Sequence, residues 1–172
     1  MNILETPITV FDSVTSTNGC VASLAEFLND ALSHQLIQQI RMATYKAERT
    51  RLKSGLPCAT ISAICPDGRK TDDAFEYTGL ICIDIDGQDN PGFGNGTELK
   101  AEVCKVAEVA YCSLSASGNG CFAIFQLSNP ENHLGHFLAL QRLFKSRLGI
   151  VIDGQCKDVK RLRFATFDAE PY

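Results

Sequence analysis

The stretch YTGLICIDIDGQDN, residues 77–90, runs an apolar segment into two carboxylates, Asp84 and Asp86. As a strand it alternates, so Cys82, Asp84 and Asp86 share one face while Ile81, Ile83 and Ile85 share the other. The isoleucine face is expected in the core. The two aspartates would then stand roughly 6.5–7 Å apart at Cα, within reach of cations between them at about 2.0–2.1 Å if the ion is Mg²⁺. Without a cation, paired carboxylates at the end of a core strand repel and raise each other's pKa. The alternative is a strand that emerges into solvent, with Asp86-Gly87 as turn chemistry; against it, Asp84 precedes the turn signal. An EF-hand is excluded: with Asp84 at loop position one, the glycine position holds Asp89 and the closing glutamate position holds Asn95.

Two further stretches could do chemistry. In SLSASGNGCFAIF, residues 113–125, the turn Ser117-Gly118-Asn119-Gly120 offers successive backbone N–H groups that can form an anion nest. The same four residues also suit an ordinary hairpin turn. In IVIDGQCKDVKRLRF, residues 150–164, Asp153 ends a short apolar run as Asp84 does, and Arg161 and Arg163 alternate onto one face. These are either a solvated salt-bridge cluster or a third metal ligand with its phosphate-binding partners.

Elements that must position these residues follow from periodicity. Ser23 with Glu26 forms a capping box, and Leu24, Phe27, Leu28, Ala31 and Leu32 predict a helix continuing to the Gly55-Leu56-Pro57 stop. ATISAI, residues 59–64, predicts one strand ending at the Pro66-Asp67-Gly68 turn, and the motif strand spans Gly79 to Asp86. After the loop GQDNPGFGNG a helix begins near Thr97, with Leu99, Val103, Val106 and Ala110 on one stripe. VAYCSLS and CFAIFQL predict a hairpin, Asn129 and Pro130 open a third helix that Gly149 ends, and IVID and RLRFATF predict final strands. The order predicts an α+β domain with a mostly antiparallel sheet and helices packed on it.

Composition bounds the rest. At 172 residues and 45% hydrophobic side chains, one domain over residues 1–172 is expected, with 1–55 as an N-terminal strand and helix unit and 56–172 as the motif-bearing core. Nothing in MNILETPITV suits a signal peptide and no apolar run reaches the ~20 residues a membrane span needs, so a cytoplasmic protein without a membrane partner is expected, and the sequon at Asn95 is a chance match. The eight cysteines form no C-x-x-C pair and are expected to be reduced packing residues. A net charge of −4 argues against gripping nucleic acid by bulk attraction, yet YKAERTRLK (45–53) and CKDVKRLR (156–163) are local basic patches. The first is either part of a phosphate-binding surface or a solvated helix end.

Taken in order, LPCATIS, YTGLICIDID, SASGNGCFAIF and IDGQCKDVKRLRFATFDAEPY, which lie between Leu56 and Tyr172, resemble the motif set of the archaeo-eukaryotic primase superfamily, the primase-polymerases. In particular the chain resembles the primase-like VirE N-terminal domains that precede helicase-like domains in bacterial mobile elements and phages. The resemblance implies an RRM-like catalytic core. It also implies a nucleotidyltransferase that adds nucleotides to a 3′-hydroxyl on a nucleic-acid template, in the replication of a mobile element, plasmid or phage. Asp84, Asp86 and Asp153 would hold two Mg²⁺ or Mn²⁺ ions, with Asp158 as the alternative third ligand; one ion would activate the 3′-hydroxyl and the other stabilise the leaving pyrophosphate. Ser117, Gly118, Asn119 and Gly120, aided by Lys160, Arg161 and Arg163, would bind the triphosphate. The implied partners are nucleoside triphosphates, a single-stranded DNA template or primer-template, and a helicase domain or protein; the chain would then be a domain excised from a larger primase-helicase. Motif two departs from the pattern, because the position where many members carry a nucleotide-contacting histidine is Phe122.

Two other functions compete. A haloacid-dehalogenase-type phosphatase would use Asp84 as nucleophile and Asp86 as acid, but that family follows its motif with parallel βαβ units. A catalytically degenerate primase-fold module would bind nucleic acid without polymerising, and Phe122 and the acidic net charge favour it. His34, His133 and His136 fall on predicted helices away from the motifs and are expected at the surface or in packing.

Overall fold

The structure, a computed structural model, describes residues 2–70 and 73–172. Its strands pair antiparallel throughout, and helices pack on them, giving an α+β fold. One sheet has the order β2-β1-β3-β9, built from β1 (Pro7–Phe11), β2 (Cys20–Ser23), β3 (Cys58–Thr60) and β9 (Leu162–Phe164). A second has the order β6-β8-β7, from β6 (Leu80–Ile85), β7 (Val109–Leu114) and β8 (Cys121–Gln126). A two-stranded ribbon joins β4 (Ala63–Ile64) to β5 (Glu76–Tyr77).

The alternation in β6 decides the layering. Ile81, Ile83 and Ile85 are buried with Ala123 and Phe125 of β8 against Leu99 and Val103 of α4 (Gly96–Val103) and Phe137 of α5 (His133–Leu143). On the opposite face, Phe122 and Ile124 meet Ile8, Ala59 and Ile61 of the first sheet and Leu24 and Phe27 of α1 (Leu24–Leu28). The second sheet is thus a middle layer, apolar on both sides, which is why CFAIF is a continuous hydrophobic run. A separate cluster sets Ile37 and Ile40 of α2 (His34–Met42) and Leu52 of α3 (Lys46–Lys53) against Leu56, Ala116 and Phe164.

Several sequence expectations need correction. The first helix is not continuous. The Ser23–Glu26 capping box forms as expected, but Asn29 ends α1, the Asp30 side chain caps a short 3₁₀ turn, and the backbone extends at Ala43 before α3. Leu32, part of the spacing that suggested one helix, is 94% exposed. ATISAI is two strands in two sheets, because the chain turns at Ile61-Ser62, where the Thr60 hydroxyl donates to the Ala63 carbonyl at 2.8 Å. Helix α4 ends at Val103, placing Ala110 in β7. Asn129 precedes Pro130 as expected, but its side chain makes no capping bond. IVID forms no strand; Ile150 and Ile152 are buried, and a single bond from the Asp153 N–H to the Asp84 carbonyl, 2.8 Å, ties the segment to β6.

The β7–β8 turn is held by close backbone approach. Gly118 has φ +73°, and a Cβ at Gly120 would lie 2.3 Å from the Ile85 carbonyl oxygen. Since neither backbone can yield cheaply, Gly120→Ala is expected to lower stability by about 1–3 kcal/mol. Urea unfolding checks this; an unchanged midpoint would show that the turn has room to shift.

Candidate functional site

A cavity of about 160 Å³ opens where the end of β6, the β7–β8 turn, β9 and the C-terminus of α3 converge. Its wall carries Asp84, Asp86, Asp153, Ser117, Arg161 and Arg163. Six of the residues expected to do chemistry, drawn from three separated stretches, are therefore neighbours in space.

Asp84 points from β6 toward the first sheet, half-buried, and Arg163 from β9 reaches it: Arg163 Nη1 donates to Asp84 Oδ1. The guanidinium also lies over the Phe122 ring, 4.2 Å from its centroid. Phe122 stands directly opposite Asp84 in the β6–β8 register, so acid, ring and base form one stack. Burial lowers the Arg163 pKa to about 10, which leaves it a cation at neutral pH. Among the described residues, Asp84 Oδ2 takes no protein hydrogen bond, and the buried Arg163 Nε has no partner.

Asp153 caps a 3₁₀ turn, its Oδ1 accepting from the Gln155 N–H at 2.9 Å, while Oδ2 accepts from Arg161 at 3.2 Å. That pair is half exposed and worth little energetically. Ligand atoms of Asp84, Asp153 and Cys156 lie within 4.8 Å of one another. Cys156 was expected only to pack; its sulfur accepts the Asp84 N–H at 3.2 Å. Burial, with Asp153 nearby, pushes its thiol up to about 12, so it borders the carboxylates as a neutral thiol. Asp86 is exposed at the cavity edge, outside that three-residue cluster.

The remaining expected residues lie elsewhere. Of the turn, only Ser117 lines the cavity; Gly118, Asn119 and Gly120 face the backbone of Ile85, Asp86, Gly87 and Gly96 instead, and the Gly118 N–H is spent on the Ser115 carbonyl at 2.8 Å. Lys160 is turned away from the cavity: its ammonium donates to the Lys70 and Asp73 carbonyls and sits 5.2 Å from the Phe75 ring. Asp158 accepts from the Lys160 N–H and also lies off the cavity wall, which leaves Asp153 as the third acid there. Among the described residues no histidine lines the cavity: His34 is stacked at 4.0 Å on Phe167, and His133 is buried, its pKa lowered by that burial.

Lys53 is the cavity residue that sequence reasoning did not single out, although it ends the basic patch at residues 45–53. Burial first, then the Arg163 and Arg49 cations, hold its ammonium below the ordinary value, against the opposing pull of Asp86. The site is an acid–base cavity in which acids and cations interleave: Asp84 pairs with Arg163 and Asp153 with Arg161, with Lys53, Ser115 and Ser117 on the same wall.

That arrangement defines an α+β domain with a conjoined carboxylate and cation site. Residues 51–172, which include every residue of the cavity wall, match the family described as BT4734-like, N-terminal domain, and the chain belongs to that family. No curated protein and no solved structure matches the chain.

Replacing Arg163 by Met removes the partner of Asp84 while keeping an apolar stem over Phe122. Because the Asp84 side chain keeps 23% of its surface exposed, the loss should be about 2 kcal/mol, below the range for a fully buried pair. Asp84→Asn in the Arg163→Met background should cost less than the sum of the single changes by at least about 1 kcal/mol. Additive unfolding free energies would show that the pair is not coupled.

Proposed function

We propose that the chain is a primase-polymerase-type nucleotidyltransferase domain, adding nucleotides to a 3′-hydroxyl on a nucleic-acid template during replication of a mobile element, plasmid or phage. The observation that carries this reading is the convergence of Asp84, Asp86 and Asp153 with Ser117, Arg161 and Arg163 on one cavity. The antiparallel pairing of β6 with β8, followed by a hairpin return, suits this class better than a phosphatase built from parallel βαβ units.

The donor set fits a hard divalent cation. Carboxylate oxygens are the ligands Mg²⁺ and Mn²⁺ favour, and Asp84 Oδ2 is open because Arg163 engages only Oδ1. Asp84, Asp153 and Asp86 would hold the metal, which supplies stabilisation of negative charge on a reacting phosphate. Arg163 holds the Asp84 side chain in place at the cavity wall. Arg161, Lys53 and the Ser117 hydroxyl line the wall where triphosphate oxygens would sit, and Arg suits them through its planar, multi-donor fork. Nucleoside triphosphates and a single-stranded template or primer-template are the substrates this implies, with a helicase domain or protein as the functional partner. Among the described residues no helix is long and apolar enough to cross a membrane; the unpaired cysteines suit a reducing, cytoplasmic setting.

One observation favours a second reading, the degenerate binding module. Phe122 is fully buried beneath Arg163, so the motif-two position presents no donor to a nucleotide. Incubation with single-stranded template, labelled nucleotides and Mn²⁺ separates the two. Wild type should extend product, and Asp84→Ala combined with Asp86→Ala should reduce extension by at least about 10³-fold, the scale of a lost metal site. Equal inertness of both proteins would sink the polymerase reading, and calorimetry with Mn²⁺ and nucleotide would then report whether a binding module remains.

A further inference from the structure

Helix α3 is one of the chain's two basic patches, and the one on a helix surface. Its eight residues, KAERTRLK, hold Lys46, Arg49, Arg51 and Lys53 against the single acid Glu48, on a protein whose net charge is −4. None of the eight is buried. Lys46, Arg49 and Lys53 are spaced three and four apart, so they form one stripe along the helix. The stripe leads somewhere: its last member, Lys53, lies in the wall of the acid–base cavity.

The other end of the stripe is apolar and open. Tyr45, 74% exposed, precedes α3, and Met42, 83% exposed, ends α2. Between the two helices is a groove of about 400 Å³ walled by Gln39, Met42, Tyr45, Glu48, Arg51 and Leu52. A phenol ring and a thioether standing in solvent beside a row of cations cost hydrophobic surface without serving the core. Arg49 adds a further sign: its Nε is buried and has no hydrogen-bond partner among the described residues.

We propose that the α2–α3 corner is a docking surface for a single-stranded polynucleotide, with Tyr45 as a platform for a base and the Lys46–Arg49–Lys53 stripe guiding the phosphate backbone into the cavity. Charge complementarity fixes the sign of the partner. The exposed aromatic beside the stripe favours unpaired bases, because stacking on a side chain requires a base free of its duplex neighbours. An acidic peptide would match the charge but would have no use for the ring. The inference rests on the nucleotidyltransferase reading for the purpose of the strand, but binding itself needs no catalysis, metal or nucleotide.

The test uses the whole chain and a fluorescently labelled thymidine 15-mer, followed by anisotropy at two salt concentrations, with the same oligomer annealed to its complement and a polyglutamate peptide as comparisons. Tyr45 and Lys46 are exposed and outside the cavity, so Tyr45→Ala with Lys46→Glu should leave the thermal midpoint unchanged. Single-strand affinity should fall about tenfold or more, as expected for one stacked base and one phosphate contact. The salt dependence should flatten, duplex should bind more weakly than single strand, and Lys46→Arg should retain wild-type affinity. Manganese-dependent nucleotide binding at the cavity should stay within about twofold, since neither residue touches it. Unchanged oligomer affinity in the double variant, equal affinity for duplex, or polyglutamate competing as well as the oligomer would each overturn the docking surface. A variant that loses the oligomer in a protein whose wild type binds no nucleotide would uphold the surface and count against the nucleotidyltransferase reading instead.

Discussion

The candidate site depends on one contact between two sheets, the pair of Asp84 on β6 with Arg163 on β9. Arg163 is only 8% exposed, and burying a guanidinium costs several kcal/mol unless something replaces its water. Two things do: the Asp84 carboxylate and the Phe122 ring 4.2 Å beneath, whose negative face attracts the cation. The compensation works only if β9 and β6 are brought face to face. That is the task of the apolar layer in which Ile8, Ala59 and Ile61 meet Phe122 and Ile124. Packing thus sets the electrostatics, and the ion pair fixes the carboxylate at the cavity wall.

What the sequence made legible is what is local. The period-two alternation of β6 put its isoleucines in the core and Asp84 on the other face, and the β7–β8 hairpin followed from two strands around a glycine turn. The capping box at Ser23 and the left-handed Gly149 are also local signals, satisfied within a few residues. The continuous first helix failed because helical spacing across Asn29 and Asp30 is a coincidence of composition; those side chains bond to nearby backbone and stop the helix instead. Lys53 could not be found from spacing, since it reaches the cavity from a different element; Cys156 sits in the turn that Asp153 caps, where a cysteine reads as a packing residue. Lys160 is adjacent in sequence to Arg161 but not in space to the cavity. It lies in the turn before β9, closed by the Arg161 N–H on the Asp158 carbonyl at 3.0 Å, and that turn carries it to the Lys70 and Asp73 carbonyls.

The C-terminal segment shows the same dependence of the site on packing. Asp168 accepts from Lys100 at 2.7 Å and from the Leu114 N–H at 2.9 Å, and Tyr172 exchanges two backbone bonds with Cys112 on the outer strand β7. Burial pushes the Asp168 carboxyl up, but Lys100 and the two backbone donors from Leu114 and Glu170 outweigh it and hold the pKa below the ordinary value. Residues after β9 therefore brace the strand that leads into the Ser115–Ser117 side of the cavity, through the Asp168–Lys100 anchor together with the backbone exchange between Tyr172 and Cys112.

Phe122 has a physical role beside Asp84. A side chain at that register position lies directly across from Asp84 on the same face of the sheet. A histidine there would offer a polar donor beside the acid; phenylalanine offers a flat π surface, and Arg163 occupies it. The cation delivered by β9 thereby supplies the positive charge next to Asp84, while Ser115, Ser117, Arg161 and Lys53 line the same wall. The buried cation–π stack keeps the charge beside Asp84 positive across the physiological pH range, because Arg163, even with its pKa lowered to about 10, stays a cation.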